Sequence, residues 1–441
     1  MKRRNRLILS VIAAALLLFS IAVASQEKGQ IERKGSKYVE LIDKTLKAKK
    51  GGELLVESDL GSIEVETWTR NEVRVVVEKE YRGSSESKAK TAFDDYEVYI
   101  EGNGKDIQVR MEAAGERHER HMGISFEITV PNAYNLDLET KAGSIDISDL
   151  EGNVLAETYG GSIKVGEIAN GDVDVHTKGG SISIGGVENG DCKARTAGGS
   201  ISVGDVTGAL EVKTSGGSID LANIGKTVDA RTAGGSISIE SSGDDLLAKT
   251  SGGSIRVGNV SGKADVRTAG GSISVGPAKG DVQVQTAGGS IRIDQCGGTV
   301  MAQTSGGSIS VEGSGGPVEV KTAGGSITID DAHGYIEART KGGSIEAKMM
   351  VADKDIDTHC TLESSGGEIT IWLPRNLAAT FDVELELSRW ADEEEYDIIS
   401  DFPLDIKKGR RSITATGDIN GGGSPIRLYT VNGDIHIKKL R

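Results

Sequence analysis

The stretch TAGGSISVGDVTGALEVKT, residues 196–214, decides the fold of this chain. Its apolar residues alternate with polar ones, and glycines interrupt the alternation where the chain has to turn. A period of two over a few residues, bounded by glycine, is typical of short β-strands and not of helices. Each unit of this kind is therefore predicted to contain short strands joined by tight turns.

The same unit recurs from Lys141 to about Met349, and its Gly-Ser-Ile motif returns every 18 residues, with two steps of 19. The serines of the motif are Ser144, Ser162, Ser181, Ser200, Ser218, Ser236, Ser254, Ser272, Ser290, Ser308, Ser326 and Ser344. A unit this short cannot bury its own apolar face, so neighbouring units have to stack, with equivalent strands pairing in parallel. The predicted fold is all-β, a parallel β-solenoid (β-helix) of 18-residue coils. Two and three strands per coil both fit the pattern.

The alternation assigns six positions of each coil to the interior. In the quoted coil they are Ile201, Val203, Val206, Leu210, Val212 and Thr214. Stacking turns every position into a column. The isoleucine column is predicted to be core, and the threonine column is predicted to satisfy backbone groups of the turns through its hydroxyls.

Two outward columns carry charge. The basic column contains His176, Arg195, Lys213, Arg231, Lys249, Arg267, Gln285, Gln303, Lys321 and Arg339. The acidic column, two residues earlier in each coil, contains Asp174, Lys193, Glu211, Asp229, Leu247, Asp265, Gln283, Met301, Glu319 and Glu337. Opposite charges in adjacent columns offset the repulsion of stacked like charges, which predicts mutually paired ladders. The alternative is a site for an anionic polymer on Arg195, Lys213, Arg231, Lys249 and Arg267.

A second outward surface is flat and rich in hydroxyls, and we call it the serine face. Its candidate binding residues are Ser200, Ser202, Ser236, Ser238, Ser272 and Ser274. Rows of small hydroxyls can face a glycan or another solenoid, and a solvated surface is the alternative. Charged residues such as Arg256 and Arg292 interrupt the rows and are interpreted as a protection against lateral aggregation.

Composition restricts the partners and the chemistry. The 441 residues carry a net charge of −15 and only 4% aromatic residues. Such an acidic body repels phosphate backbones, so no nucleic acid is expected as a ligand. The odd number of cysteines argues against a disulfide framework, and Cys192 and Cys296 fall at core-facing positions.

The N-terminus predicts export. Residues 1–6 are basic, and residues 7–24 form an apolar run interrupted by two serines. This pattern indicates a secretory signal peptide cut before Ser25. An uncleaved anchor is the alternative, because eighteen apolar residues are just enough to span a bilayer. In both cases the rest of the chain is expected outside the cytoplasm, in the periplasm, at the cell surface or secreted, and it touches the membrane only through an uncleaved segment.

The regions outside the repeats are assigned from weaker patterns. Residues 25–48 are predicted to be a tether, residues 49–140 an N-terminal β-rich cap, residues 141–350 the solenoid, and residues 351–441 a C-terminal β cap. A short helix is predicted between Ser84 and Tyr96. The caps are expected to cover the open ends of the solenoid, where strand edges and apolar core would be exposed.

The sequence offers no recognisable catalytic, cofactor or metal motif. His118 and His121 would point to opposite faces of a strand, and the Asp353–Asp357 stretch lacks the glycine and glutamate of an EF-hand. The prediction is a protein that is not an enzyme and needs no cofactor. A glycan-active enzyme with its site in the caps is the alternative, because the uniform coils leave little room for a cleft.

The repeated Thr-Ala/Ser-Gly-Gly-Ser-Ile unit, the ITVP sequence at 128–131 and the NGDI sequence at 432–435 resemble the bacterial putative-adhesin family. The resemblance covers roughly residues 50–440 and implies an exported β-strand-repeat domain without catalytic residues. The leading hypothesis is a non-enzymatic adhesin or cell-envelope scaffold. Its expected partners are a glycan, a cell-wall polymer, an envelope protein or a second copy of the chain. A membrane-tethered envelope-sensing module is a further alternative.

Overall fold

The computed structural model describes residues 26–114, 121–351, 355–389 and 395–440. The chain divides into two compact units between Ser144 and Ile145. The predicted signal segment lies outside the described residues, and so do His118 and Asp353. Among the residues that are described, no helix combines the length and the apolar character needed to cross a membrane.

In its described residues, the first unit is a set of strands with one helix. Its elements are β1 (Gln30–Lys34), β2 (Lys37–Lys47), β3 (Gly52–Ser58), β4 (Ser62–Trp68), β5 (Glu72–Arg82), α1 (Glu86–Asp94), β6 (Tyr96–Gly102), β7 (Ile107–Ala113), β8 (Met122–Pro131) and β9 (Tyr134–Thr140). Parallel pairs join β3 to β9 and β4 to β8, whereas β5 pairs antiparallel with both β2 and β8. The predicted helix is confirmed as α1, with the Ser85 side chain accepting a hydrogen bond from the backbone N–H of Lys88 as its N-cap.

The tether prediction for residues 25–48 is wrong over most of that range. These residues form the hairpin β1–β2, and β2 pairs with β5 along its 11 residues. Val39 and Ile42 of β2 are buried. The sequence hid this strand because Glu40, between them, is also buried, where it forms an ion pair with Lys79. A charged residue that faces inward breaks the alternation that marks a half-buried strand.

The second unit is built of short strands. They are β10 (Ile145–Ile147), β11 (Leu150–Glu151), β12 (Val154–Thr158), β13 (Ile163–Ala169), β14 (Val173–Thr177), β15 (Ile182–Glu188), β16 (Cys192–Thr196), β17 (Ile201–Val206), β18 (Leu210–Lys213), β19 (Ile219–Ile224), β20 (Val228–Arg231), β21 (Ile237–Ser242), β22 (Leu246–Lys249), β23 (Ile255–Val260), β24 (Ala264–Arg267), β25 (Ile273–Val275), β26 (Val282–Gln285), β27 (Ile291–Cys296), β28 (Val300–Gln303), β29 (Ile309–Ser314), β30 (Val318–Lys321), β31 (Ile327–Ala332), β32 (Ile336–Thr340), β33 (Ile345–Met349), β34 (Cys360–Ser364), β35 (Ile369–Leu373), β36 (Ala379–Glu386), β37 (Ile398–Ser400), β38 (Asp405–Lys408), β39 (Ser412–Ile419), β40 (Ser424–Val431) and β41 (Ile435–Lys439).

Each coil of the second unit contributes two strands, one to each of two parallel sheets. The odd-numbered strands from β13 to β35 begin after the Gly-Ser turn and form the serine sheet. The even-numbered strands from β12 to β32 end at the threonine or one residue before it, β34 ends at Ser364 in the same column, and together they form the threonine sheet. In one coil Ile201 pairs with Ile219, and Leu210 pairs with Val228, so equivalent residues stack in register. The predicted parallel β-solenoid is confirmed, with two strands per coil.

The core lies between the two sheets. Ile201 and Val203 of the serine sheet and Leu210 and Val212 of the threonine sheet are each at most 2% exposed, as the alternation predicts. Burying each of these side chains contributes roughly 1.5–3 kcal/mol, so the same small set of residues, repeated coil after coil, builds a continuous apolar interior.

The threonine column ties each turn to the preceding coil. The Thr250 hydroxyl donates to the Gly235 carbonyl oxygen at 2.7 Å and accepts from the Gly253 N–H at 3.4 Å. The same pair of bonds recurs at Thr214 and Thr322. The predicted structural role of this column is therefore confirmed.

The second glycine of each turn is needed because successive turns touch. A Cβ atom placed on Gly253 would lie 2.3 Å from the carbonyl oxygen of Gly235 in the coil before it. Both glycines belong to backbone segments that are fixed by sheet pairing on either side. Only a residue without a side chain fits this column, which explains why glycine precedes the serine of every repeat from Ser144 to Ser344.

Coil stacking continues beyond the strict repeats. Ile369 pairs with Ile345 and in turn with Ile435, while Cys360 pairs with Ile336 and Ile426. Cys192, Cys296 and Cys360 are all free and buried, which confirms the prediction that the first two are core residues. The predicted boundaries of the two caps stay predictions.

Candidate binding surfaces

The basic column lies on the outer face of the threonine sheet, as the alternation predicts. Arg195, Lys213, Arg231, Lys249 and Arg267 occupy register positions on five successive strands. Their side chains are 37–45% exposed. The structure thus brings the five candidates into one continuous row.

Each of these five cations has a carboxylate partner. Arg195 contacts Glu211 at 3.2 Å and Asp174 at 3.7 Å, and Lys213 contacts Glu211 at 2.6 Å. Arg231 binds Asp229 and Arg267 binds Asp265 on the same strand, at 2.7 and 2.9 Å, while Lys249 lies 4.0 Å from Asp265. The hydrogen bond from Lys213 lowers the pKa of Glu211, which keeps that carboxylate ionised. The row therefore presents paired charges, with little net field for a polyanion.

The serine face lies on the outer side of the serine sheet, and its two rows of hydroxyls differ. Ser200, Ser236 and Ser272 each accept the backbone N–H of the next serine in the column, at 3.1–3.2 Å. The hydroxyls of Ser202, Ser238 and Ser274 have no hydrogen-bond partner in the described part of the chain. The first row is therefore structural, whereas the second row has its hydrogen-bonding capacity free for a ligand.

Arg256 stands in the middle of the free row. It pairs in register with Ser238 on one side and Ser274 on the other, and these residues line a shallow depression of about 460 Å³. Arg292, two coils further, is bound to Asp294 and Glu312. Arg256 has no ion pair or side-chain hydrogen bond to any described residue, so its guanidinium is available.

Sequence reasoning gave Arg256 only a protective role. A local signal distinguishes it from the arginines of the basic column. Arg231 and Arg267 have an aspartate two residues earlier on the same strand face. Arg256 instead has Ser254 two residues before it and Gly258 two residues after it. A cation without a carboxylate two residues away is the feature that would have identified it.

Carboxylates also gather in the first unit, where the enzyme alternative would need them. Asp137 and Glu139 of β9 lie beside Glu57 of β3 on one sheet face. Burial raises the pKa of Asp137 to about 6, and the negative charges of Glu53, Glu57 and Glu139 add to the shift. Burial and the repulsion between neighbouring carboxylates account for the raised pKa of Asp137 without a substrate.

Asp137 is expected to make the stability of the first unit depend on pH. Its pKa of about 6 lies above the ordinary 3.8, so the folded chain holds the proton more tightly than the unfolded chain does. The stability that Asp137 contributes should therefore be fully present below the ordinary pKa of 3.8 and should be lost as the pH rises through about 6. In Asp137→Asn this fall should disappear. Thermal unfolding of both proteins across that range, with hydrogen exchange of β9, measures it, and parallel pH profiles would refute the assignment.

A second polar cluster lies near the C-terminal end of the threonine sheet. Tyr335 and His359 stack with their ring centroids 4.4 Å apart, and His359 Nδ1 lies 2.9 Å from Asp357 Oδ1. Hydrogen bonds from the His359 backbone N–H and ring lower the pKa of Asp357. In the described ranges, no three His, Cys, Asp or Glu side chains are grouped so that they could hold a metal ion.

The arrangement of the coils agrees with a family match. A family model described as Toastrack DUF4097 matches residues 53–265 and, a second time, residues 244–438. The chain belongs to the Toastrack DUF4097 family. The match covers the region in which the repeat, its lead-in and its ending resemble the bacterial putative-adhesin family of β-strand-repeat domains. The resemblance is therefore confirmed. The stacked two-strand coils of the second unit are the form that the Toastrack pattern takes in this chain.

Solved structures similar to this Toastrack chain share little sequence with it. A putative cell adhesion protein from Clostridium sporogenes is 7% identical, with a TM-score of 0.16, over 91% of this chain and 100% of its own. Putative adhesins from Parabacteroides distasonis and Bacteroides fragilis are 11% and 12% identical, with TM-scores of 0.25 and 0.20, each over 70% of this chain and 97% of its own. With TM-scores this low, the similarity assigns no role to this chain. No curated protein matches it.

Proposed function

We propose that this Toastrack protein is an exported, adhesin-like binding protein that holds carboxylate-bearing glycans of a cell wall or envelope on the serine face. The observation that supports the proposal is the free guanidinium of Arg256 among the unpartnered hydroxyls of Ser238 and Ser274. A guanidinium binds a carboxylate through two parallel hydrogen bonds, and hydroxyls supply the donors and acceptors that sugar hydroxyls need.

The two charged surfaces favour the serine face over the basic column. A ligand on the basic column would have to displace carboxylates such as Asp229, which already accepts hydrogen bonds from Arg231 Nε and Nη2 at 2.7 and 2.9 Å. Arg256 offers its charge without that competition. The apolar run at residues 7–24 supports export, and mass spectrometry of the mature N-terminus distinguishes a cleaved signal from an anchor.

A non-enzymatic role is part of the proposal. The coils from Ser200 to Ser344 keep one length, so no loop rises above the serine face to close a cleft around a substrate. Most glycoside hydrolases use a pair of carboxyl groups that flank the scissile bond, whereas the depression around Arg256 is lined by serines, isoleucines and arginines. This chemistry suits retention of a polymer.

Arg256→Gln is expected to weaken binding of polygalacturonate by about tenfold, because a charged hydrogen-bonded contact contributes about 1.5 kcal/mol or more. Binding should also weaken as salt is raised. Arg231→Gln is the matched control, because it removes an arginine that is already paired, and it should bind as the wild type does. Isothermal titration with polygalacturonate and pull-down on purified peptidoglycan measure both. If Arg231→Gln loses binding and Arg256→Gln keeps it, the site lies on the basic column.

A further inference from the structure

The charge ladders of the threonine sheet are interrupted over two successive coils. On β26 and β28 the acidic column holds Gln283 and Met301, and the basic column holds Gln285 and Gln303, all in register. The flanking strands β24 and β30 return to one acidic and one basic residue each. Gln283, Gln285, Met301 and Gln303 therefore form an uncharged window between strands that carry charged residues.

The polar groups of this window are unoccupied. Gln283, Gln285 and Gln303 are exposed, and their side-chain amides make no hydrogen bond to a residue that the structure describes. Each amide has two donor hydrogens and an acceptor oxygen. Met301 beside them is 44% exposed.

A groove of about 550 Å³ runs from this window across the neighbouring coils. One side of the lining holds Leu247, Asp265, Gln283 and Met301, which stack in register, and the other side includes Asp245 and Asp281. Leu247 and Met301 are three coils apart, which corresponds to about 14 Å along the solenoid. The groove is thus long and shallow, with an apolar side chain towards each end and the Asp265 carboxylate and the Gln283 amide between them.

The charge of the lining selects among ligands. Asp245, Asp265 and Asp281 line the groove, against the single cation Lys263, which contacts Asp281 at 2.9 Å. The hydrogen bond from Lys263 lowers the pKa of Asp281, so this carboxylate stays ionised. A net negative lining repels anionic polymers, whereas carboxylate and amide oxygens accept hydrogen bonds from uncharged hydroxyls.

We propose that this groove binds an uncharged polysaccharide chain that lies across the strands, along the direction in which the coils stack. Leu247 and Met301 pack against the C–H faces of two sugar rings, and the adaptable thioether side chain suits an irregular ring surface. The Gln283 amide and the carboxylates of Asp245 and Asp281 hold the hydroxyls between them. The site is distinct from the Arg256 surface, which lies on the other sheet and attracts carboxylates.

The test places carboxylates at the three lining positions of the acidic column that carry none. The triple variant Leu247→Asp, Gln283→Glu, Met301→Glu introduces residue types that this column already carries at Asp229 and Glu319. Lys249, Arg267 and Lys321 lie in the basic column on the same strand as a new carboxylate or on the next one, so folding should persist. Affinity electrophoresis in gels containing laminarin, dextran, yeast mannan or hydroxyethylcellulose should retard the wild type in at least one gel. The triple variant should bind that polysaccharide at least about tenfold more weakly, with an unchanged circular dichroism melt.

Arg256→Gln is the control, because it should weaken binding to polygalacturonate by about tenfold and leave binding to the uncharged polysaccharide intact. Failure of the serine-face proposal is thereby separated from failure of the groove. The groove proposal is overturned if the triple variant binds as well as the wild type, or if none of the four polysaccharides retards the wild type. It is also overturned if the wild type forms a concentration-dependent dimer that the triple variant cannot form, which would assign the groove to a second copy of the chain.

Discussion

Gly253→Ala is expected to destabilise the solenoid by about 4 kcal/mol or more, a cost that belongs to the severe end of single substitutions. The new Cβ atom would lie 2.3 Å from the Gly235 carbonyl oxygen, 2.5 Å from the carbon of that carbonyl and 2.5 Å from the Ser236 nitrogen. These atoms are backbone, so no side chain can rotate away to make room. The two coils would have to separate at this turn, which also strains the hydrogen bonds of Thr250.

The matched control is Ser251→Ala in the same turn. Ser251 is exposed, and the chain already uses alanine at the equivalent positions Ala233 and Ala269. The midpoint of urea unfolding should be nearly unchanged in the control and strongly lowered in Gly253→Ala. Hydrogen exchange should locate the damage, with faster exchange in β21 and β23 than in coils far from the turn. Equal midpoints for the two variants would show that the turns are spaced more loosely than the structure has them.

The repeat predicted the fold because each contact between coils joins the same two positions of the pattern in coil after coil. Ile201 lies over Ile219, and Thr214 bonds to Gly199, at a fixed separation in the chain. One correct coil therefore predicts all of them. The hidden strand β2 was missed for the opposite reason. Its burial depends on pairing with β5 and on the partner of Glu40, and neither follows from the local pattern.

The candidate sites also differ in how far the sequence could predict them. The columns, and therefore the rows of Arg195 and Ser202, follow from alternation alone. Whether a charged side chain in a column has an ion-pair partner depends on its neighbours on the same strand and on the two adjacent strands. In this respect Arg231, which is paired with Asp229, differs from Arg256. The groove beside Gln283 depends on side chains of several coils at once, so the sequence showed the interruption of the ladders but not the space beside it.

Lys79→Met is expected to lower the stability of the first unit by about 3–5 kcal/mol, the cost of leaving one member of a buried ion pair uncompensated. Lys79 and Glu40 are 1% and 6% exposed, and their charged atoms are 3.0 Å apart. The Lys79 ammonium also donates to the Tyr96 carbonyl oxygen at 2.7 Å and to the Phe93 carbonyl oxygen at 3.3 Å, so it fastens the end of α1 to β5. Its removal leaves the Glu40 carboxylate and two carbonyl groups without this donor.

The double variant Lys79→Met, Glu40→Leu decides between charge and packing as the cause. Replacing both members of a buried pair with apolar residues is often close to neutral, because the desolvation cost of two ions disappears with their attraction. The double variant should therefore recover most of the stability lost by Lys79→Met, with a coupling energy beyond what independent sites show. Urea unfolding gives the free energies, and hydrogen exchange of α1 and β5 shows where they act. A double variant as unstable as the sum of both single variants would mean that Lys79 acts by packing and by its bonds to α1, with the ion pair contributing little.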